Sequence, residues 1–289
     1  MHITDISLTN VNYPALLREI NDPPATLHIR GTLPDKNRLM VSIVGSRKPD
    51  AYGRYVTHMI AGELAHAGVV IVSGLAYGID AVAHLAALDA GGTTVAVLGS
   101  GVDLTTPSAN HALGERIIAH GGALISEQPN GTPALAHHII ARNRIVAGIS
   151  SALVVTQAAI KSGTLHTARF AADYNRPIFA IPGHITLNLS TGPNNLIREN
   201  RATAVTSSLD ILQELQYTSG PTPVLHSPSN AAEATIFDLL GKNINTTQAI
   251  IEASGLGASE VANTISIMEI TGKLTNLGAG HWAPRLYKS

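Results

Sequence analysis

The chain predicts an α/β fold, a doubly wound and mostly parallel sheet followed by a small helical module with a β-wing. Three observations carry this reading. Between residue 39 and about residue 215, short runs rich in Val, Ile and Ala alternate with segments of helical period. A Ser/Pro/Gly-rich stretch, YTSGPTPVLHSPSN at 217–230, then interrupts the pattern. Beyond it, three helical segments precede two short strands around a glycine turn, the order of a winged helix-turn-helix.

Taken in order, residues 1–38 form a lead-in, in which Tyr13-Pro14 and Asp22-Pro23-Pro24 break any long helix. Six strands are predicted next: LMVSIV (39–44), VVIVS (69–73), TVAVL (94–98), ALIS (123–126), SALVVTQ (151–157) and PIFAIP (177–182). Each is apolar on both alternating faces, as a strand covered by helices on both sides requires. Segments such as GRYVTHMIAGELAHA (53–67) and GTLHTARFAAD (163–173) place apolar residues at i, i+3 and i+4, which predicts helices packed on that sheet. The sheet domain is therefore set at 39–216 and the linker, with little to bury, at 217–230. The last domain, 231–289, holds AEATIFDLLG (232–241), TTQAIIEAS (246–254) and ASEVANTISIMEIT (258–271), then KLTNLGAGHWAP.

Composition narrows the function. The 289 residues are 45% hydrophobic and 13% charged, yet no apolar run reaches the roughly 18 residues of a membrane span, which predicts a soluble protein without a membrane partner. No secretory leader pattern opens the chain. With no Cys, disulfides, thiolate catalysis and Cys-ligated zinc are excluded, and a cytoplasmic location is expected. The formal net charge of −1 rules out a generally basic protein, so any polyanion must bind locally. Arg47, Lys48, Arg54, Arg142, Arg144, Lys161 and Arg198 recur at positions that read as loops.

In a parallel sheet, ligands gather beyond the carboxyl ends of the strands. Gly45-Ser46-Arg47 follows the first strand, Gly74 to Gly78 the second, Gly99-Ser100-Gly101 the third, and Ser162-Gly163-Thr164 comes soon after the fifth. Glycine admits close approach, and hydroxyls beside a helix N-terminus suit anions, although helix capping alone also favours these residues. Arg47-Lys48, Arg142-Asn143-Arg144 and Lys161 add the planar forks and point charges that a phosphate backbone needs. Among the patterns for covalent or metal chemistry, G-x-S-x-G, H-E-x-x-H and the Walker loop are all missing. His137-His138 has no further ligand at recognisable spacing, and Glu127 and Asp80 are explained as readily by capping as by acid–base work.

Seven ordered blocks carry a family resemblance: YPALLREINDPP (13–24), IVGSRKPDAYG (43–53), VSGLAYGIDAVAH (72–84), VAVLGSGVD (95–103), RNRIVAGIS (142–150), KSGTLHTA (161–168) and IFAIPG (178–183). From Tyr13 to about Leu212 the chain closely resembles the DNA-processing protein A (DprA/Smf) family. The resemblance implies an extended Rossmann-like domain and a homodimer that binds single-stranded DNA in a basic pocket. It also implies that incoming DNA is protected and RecA loaded during natural transformation or repair. It implies DNA contacts at Gly45, Ser46 and Arg47. Arg142, Asn143 and Arg144 would be contacts or pocket supports, Lys161, Ser162 and Gly163 a further side of the pocket, and Gly74 the turn shaping its floor. Neither a cofactor nor a catalytic residue follows, so a non-enzymatic binding protein is expected.

The chain departs from the family pattern where Phe-Pro commonly precedes Arg-Asn-Arg; Ile139-Ile140 stand there, so that base platform is lacking, and base contacts are either weaker or come from Tyr52 or Tyr77. Tyr77 stands where Arg is frequent and Gln157 where Glu is usual. The small helical domain that precedes the Tyr-Pro block in many relatives is missing from the dozen residues ahead of it here. In the C-terminal module, segment 258–271 carries Glu260 and Glu269 without Arg or Lys, which opposes duplex binding and favours a protein-contact or regulatory role; Arg285 and Lys288 lie near the wing. The rival reading is a nucleotide-binding sensor or nucleoside monophosphate phosphoribohydrolase of related fold. Pro182-Gly183-His184 lacks the second Gly and the Glu such enzymes show.

Overall fold

The computed structural model describes residues 3–217, 228–242, 244–278 and 280–284. It divides into two compact units, Met1–Gly220 and Pro221–Ser289. Residues 218–227 of the predicted linker, Ala279, Arg285 and Lys288 lie outside the described residues.

The first unit is built on nine strands: β1 (Ile3–Ser7), β2 (Thr26–Gly31), β3 (Met40–Val44), β4 (Val70–Ser73), β5 (Thr94–Val97), β6 (Ala123–Ser126), β7 (Ala152–Val155), β8 (Ile178–Ala180) and β9 (Thr203–Ala204). Their order across the sheet is β1-β2-β6-β5-β4-β3-β7-β8-β9. All pairs from β6 to β9 are parallel, whereas β2 runs antiparallel to β6 and β1 antiparallel to β2. The stretch read as a lead-in thus supplies two strands of the sheet and the short helix α1 (Ala15–Arg18). Leu17 and Leu27 are fully buried, so this segment is core material despite its prolines.

Helices α2 (Ala51–His66), α3 (Ile79–Asp89), α4 (His111–Ala119), α5 (Ala136–Ile149), α6 (Thr164–Asp173), α7 (Thr191–Arg198) and α8 (Ser208–Glu214) cover the sheet. The alternation along each strand decides which helices meet which residues. Val41, Ile43, Ile71, Val154 and Phe179 pack with Val56, Ile60 and Leu64 of α2, Ile79 and Ala83 of α3 and Ile211 of α8. Met40, Val44, Val70, Val72, Leu153 and Val155 pack with Leu17, with Ile145, Val146 and Ile149 of α5 and with Ala168 of α6. Strands this apolar on both faces suit a sheet covered by helices on each side. Even buried Ser42 is accommodated: its hydroxyl donates to the carbonyl of Val146 at 2.6 Å and pairs with Ser150 at 2.7 Å.

The second unit holds α9 (Ala231–Gly241), α10 (Thr247–Ser254), α11 (Ala258–Ile270) and an antiparallel ribbon of β10 (Leu274–Gly278) and β11 (His281–Pro284). Asn230 and Thr246 cap α9 and α10 by accepting the amides of Glu233 and Ala249, as short polar residues at helix starts do. Ile236, Leu239, Ile250, Val261, Ile265, Met268 and Trp282 form the small core. Lys273 closes onto buried Glu233 at 2.6 Å.

Candidate nucleic-acid interface

The strand order reverses between β3 and β7, with β4 to β6 on one side and β8 and β9 on the other. At such a switch point the connections leave in opposite directions and open a crevice beyond the strand ends. A cavity of about 510 Å³ lies there, bounded by Val44 to Arg47 after β3, Ala76 and Asp80 around the start of α3, Ile139, Arg142 and Asn143 of α5, and Ala159 and Lys161 to Thr164 leading into α6.

The loop after β3 is held in shape from below. The Ser46 amide donates to the carbonyl of Gln157 at 2.7 Å, and the Gln157 side chain exchanges hydrogen bonds with Asp50. Asp50 in turn caps α2 by accepting the Gly53 amide at 2.8 Å. Gln157 is therefore fixed to Asp50. A side chain at Gly45 would collide with Ile79 and Thr156, so this turn needs its glycine. The neighbouring Gly78, at φ 78°, backs directly onto the Ser46–Arg47 backbone, and the Ile79 amide donates to the Ser46 carbonyl at 3.1 Å.

Arg142 forms the floor. It is 5% exposed, and its guanidinium donates to the carbonyl of Gly74 at 2.5 Å and to that of Val97. Gly74 has no side chain because the guanidinium occupies that space; a Cβ there would stand 2.2 Å from Nη1. Burial pulls the Arg142 pKa below its ordinary value, buried Asp80 works against this, and Arg47 adds to it. Asp80 accepts the amides of Gly74 and Ala76, and burial still holds its carboxyl above the usual range against the pull of Arg142. His84 beneath them is buried, with its pKa lowered to about 3 by burial and then by Arg142, so it is neutral and hydrogen-bonded to Thr94 at 2.7 Å.

Arg47 and Lys161 stand at the mouth, both exposed and neither in an ion pair among the described residues. Asn143 is half-buried in the wall, its amide without a hydrogen bond among the described residues. The Ser162 hydroxyl accepts the Thr164 amide at 3.2 Å in a local turn before α6, beside the open Gly163. The structure thus gathers Gly45, Ser46, Arg47, Arg142, Asn143, Lys161, Ser162 and Gly163 around one cavity, with Gly74 under its floor.

Arg144 is elsewhere. Arg142 and Arg144 read as loop positions, but both lie inside α5, where two residues of separation turn side chains about 200° apart. Arg144 closes a bidentate pair with Glu127 at 3.0 and 2.7 Å and bonds Asp22 at 2.8 Å, while Tyr174 donates to the same Asp22. This brace ties α5 to the segment before β2. Leu189 is a cavity residue that no sequence signal singled out, because it comes from a short helical turn far from the glycine and serine loops, whereas Ala76 lies in the Gly74 to Gly78 loop and Asp80 two residues beyond it.

The sequence profile of the family described as DNA recombination-mediator protein A matches residues 5–216. Protein Smf of Escherichia coli is 35% identical over 278 residues, covering 93% of this chain and 74% of that protein. The DNA processing protein A (DprA) of Streptococcus pneumoniae superposes with a TM-score of 0.68 at 39% identity, over 73% of this chain and 74% of that one. DNA processing protein A of Helicobacter pylori, described for its single-stranded DNA binding mode, superposes with a TM-score of 0.66 at 30% identity, over 74% of this chain and 96% of that one.

Proposed function

The chain belongs to the DNA recombination-mediator protein A family, and we propose that it binds single-stranded DNA along the strand-end rim, without catalysing a reaction, and mediates recombination by loading RecA onto that strand. The observation that carries this reading is the pairing of Arg47 and Lys161 at the mouth of one cavity, both without carboxylate partners among the described residues, over a floor whose buried guanidinium is already committed to the backbone. Two free cations flanking glycine and serine turns suit a phosphodiester backbone, which offers spaced charges and little sequence information. A homodimer would set two such rims on one strand, in transformation or repair. The second unit, read as a winged helix, would serve as a protein-contact module, since α11 carries Glu260 and Glu269 and no cation.

The test is an anisotropy titration of the full chain with oligothymidine and with duplex of equal length, across a salt series. Binding that favours the single strand and weakens with salt is expected, with a clear loss for Arg47→Ala. Equal, salt-insensitive affinity for both DNAs, or an indifferent Arg47→Ala, would sink the reading.

A further inference from the structure

A phosphate held between Arg47 and Lys161 leaves its base to be placed, and the residues lining the cavity include no aromatic ring. Two exposed tyrosines stand close in sequence to lining residues, Tyr52 in the first turn of α2 and Tyr77 in the turn before α3. Tyr52 is spoken for in part: its hydroxyl donates to the Pro182 carbonyl at 2.9 Å, beyond the Ser46 to Asp50 loop, on the β8 side. Tyr77 is 49% exposed and makes no hydrogen bond or ring contact among the described residues. Its neighbour on one side, Ala76, lines the cavity, and its neighbour on the other, Gly78, abuts the backbone of Arg47.

The loop that carries Tyr77 is held from every side. Asp80 accepts the amides of Gly74 and Ala76, and the Asn110 side chain donates to the carbonyls of Leu75 at 2.8 Å and Ala76 at 3.2 Å. Leu75 is fully buried in the left-handed region at φ 57°, a conformation that persists only where the surroundings impose it. On so constrained a loop, stacking on the exposed ring costs side-chain rotamer freedom but little backbone freedom. That is what a stacking platform requires.

From this we propose that Tyr77 is the base-stacking platform of the cavity, taking the base next to the phosphate that Arg47 and Lys161 hold. The inference rests on the single-strand reading above and adds to it a preference for chains that carry bases. Any base serves, because every base has a π-face.

The experiment compares oligothymidine with an abasic deoxyribose-phosphate chain of the same length and charge, using the full chain and its Tyr77→Ala and Tyr77→Phe variants. Stacking worth about 1–3 kcal/mol per base corresponds to roughly a 5- to 150-fold preference for the base-bearing strand. That preference is expected to fall at least about fivefold in Tyr77→Ala and to persist in Tyr77→Phe, with the salt dependence unchanged in both. A 2-aminopurine base in the strand should be quenched by the parent chain and by Tyr77→Phe, but not by Tyr77→Ala. Retention of the full preference and quenching by Tyr77→Ala would overturn the proposal while leaving the single-strand reading intact. Failure of the parent chain to bind either strand would overturn both.

Discussion

Arg47 and Arg144 carry the same side chain in runs that read alike, and the fold places them in opposite situations. Arg47 sits on a loop at an open cavity with no carboxylate to satisfy it among the described residues. Arg144, whose side chain is 12% exposed, has its fork closed by Glu127 and Asp22. Between them in character is Arg142, buried and spent on two backbone carbonyls. A cation can serve an outside phosphate only where the chain has left its donors free, so the rim and the brace are distinguished by partners rather than by charge.

Substitutions should separate the two regions. Arg142→Met leaves the carbonyls of Gly74 and Val97 unpaired and Asp80 without its counter-charge, and should cost about 3–5 kcal/mol of stability in urea unfolding. Gly74→Ala drives a methyl group into the same guanidinium, which packing forbids from moving, and should cost about 1–3 kcal/mol by the same measurement. Arg144→Ala should destabilise by about 1–2 kcal/mol, leaving Glu127 without its fork and Asp22 with the Tyr174 hydroxyl alone, yet change the oligothymidine affinity of the folded protein less than about twofold. The reverse pattern is expected for Lys161→Ala: melting unchanged, affinity lower by about fivefold, and the slope of log affinity against log salt shallower by about 0.7. If Arg144→Ala weakened DNA binding as much as Lys161→Ala, the distinction drawn between rim and brace would fail.

The smallest effect concerns the second unit. Burial would raise the Glu233 pKa, but the Lys273 pair and the Ser229 amide outweigh it and hold the carboxyl below its usual value. A depressed folded-state pKa means that this contribution is full above about pH 4.5 and is lost as pH falls further. Trp282, the one tryptophan of the chain, lies in this unit, so its fluorescence should report a lower melting temperature below pH 4.5. Glu233→Gln should flatten that dependence.

Much of the sheet was legible because strands buried on both faces leave nearly continuous apolar runs, as MVSIV and ALVV do. Strands β1 and β2 were not, since TLHIRG alternates with polar residues and sits among prolines; its place is fixed by antiparallel pairing to β6, nearly a hundred residues on. The glycine and serine turns announced a rim, and the structure brings the first, second and fourth of them to one cavity, while Gly99-Ser100-Gly101 is not among its lining residues. The fate of each arginine was hidden, because it depends on Asp80, Glu127 and Asp22, which only the fold brings near. Likewise, Gln157 was legible as an exchanged residue but not as the clasp of the Ser46 loop.

That clasp has a mechanical consequence. The Ser46 amide hangs from the Gln157 carbonyl, two residues past the end of β7, and β3 and β7 lie side by side near the middle of nine strands. A load applied at Arg47 is therefore passed to two adjacent central strands rather than to a strand at the edge of the sheet.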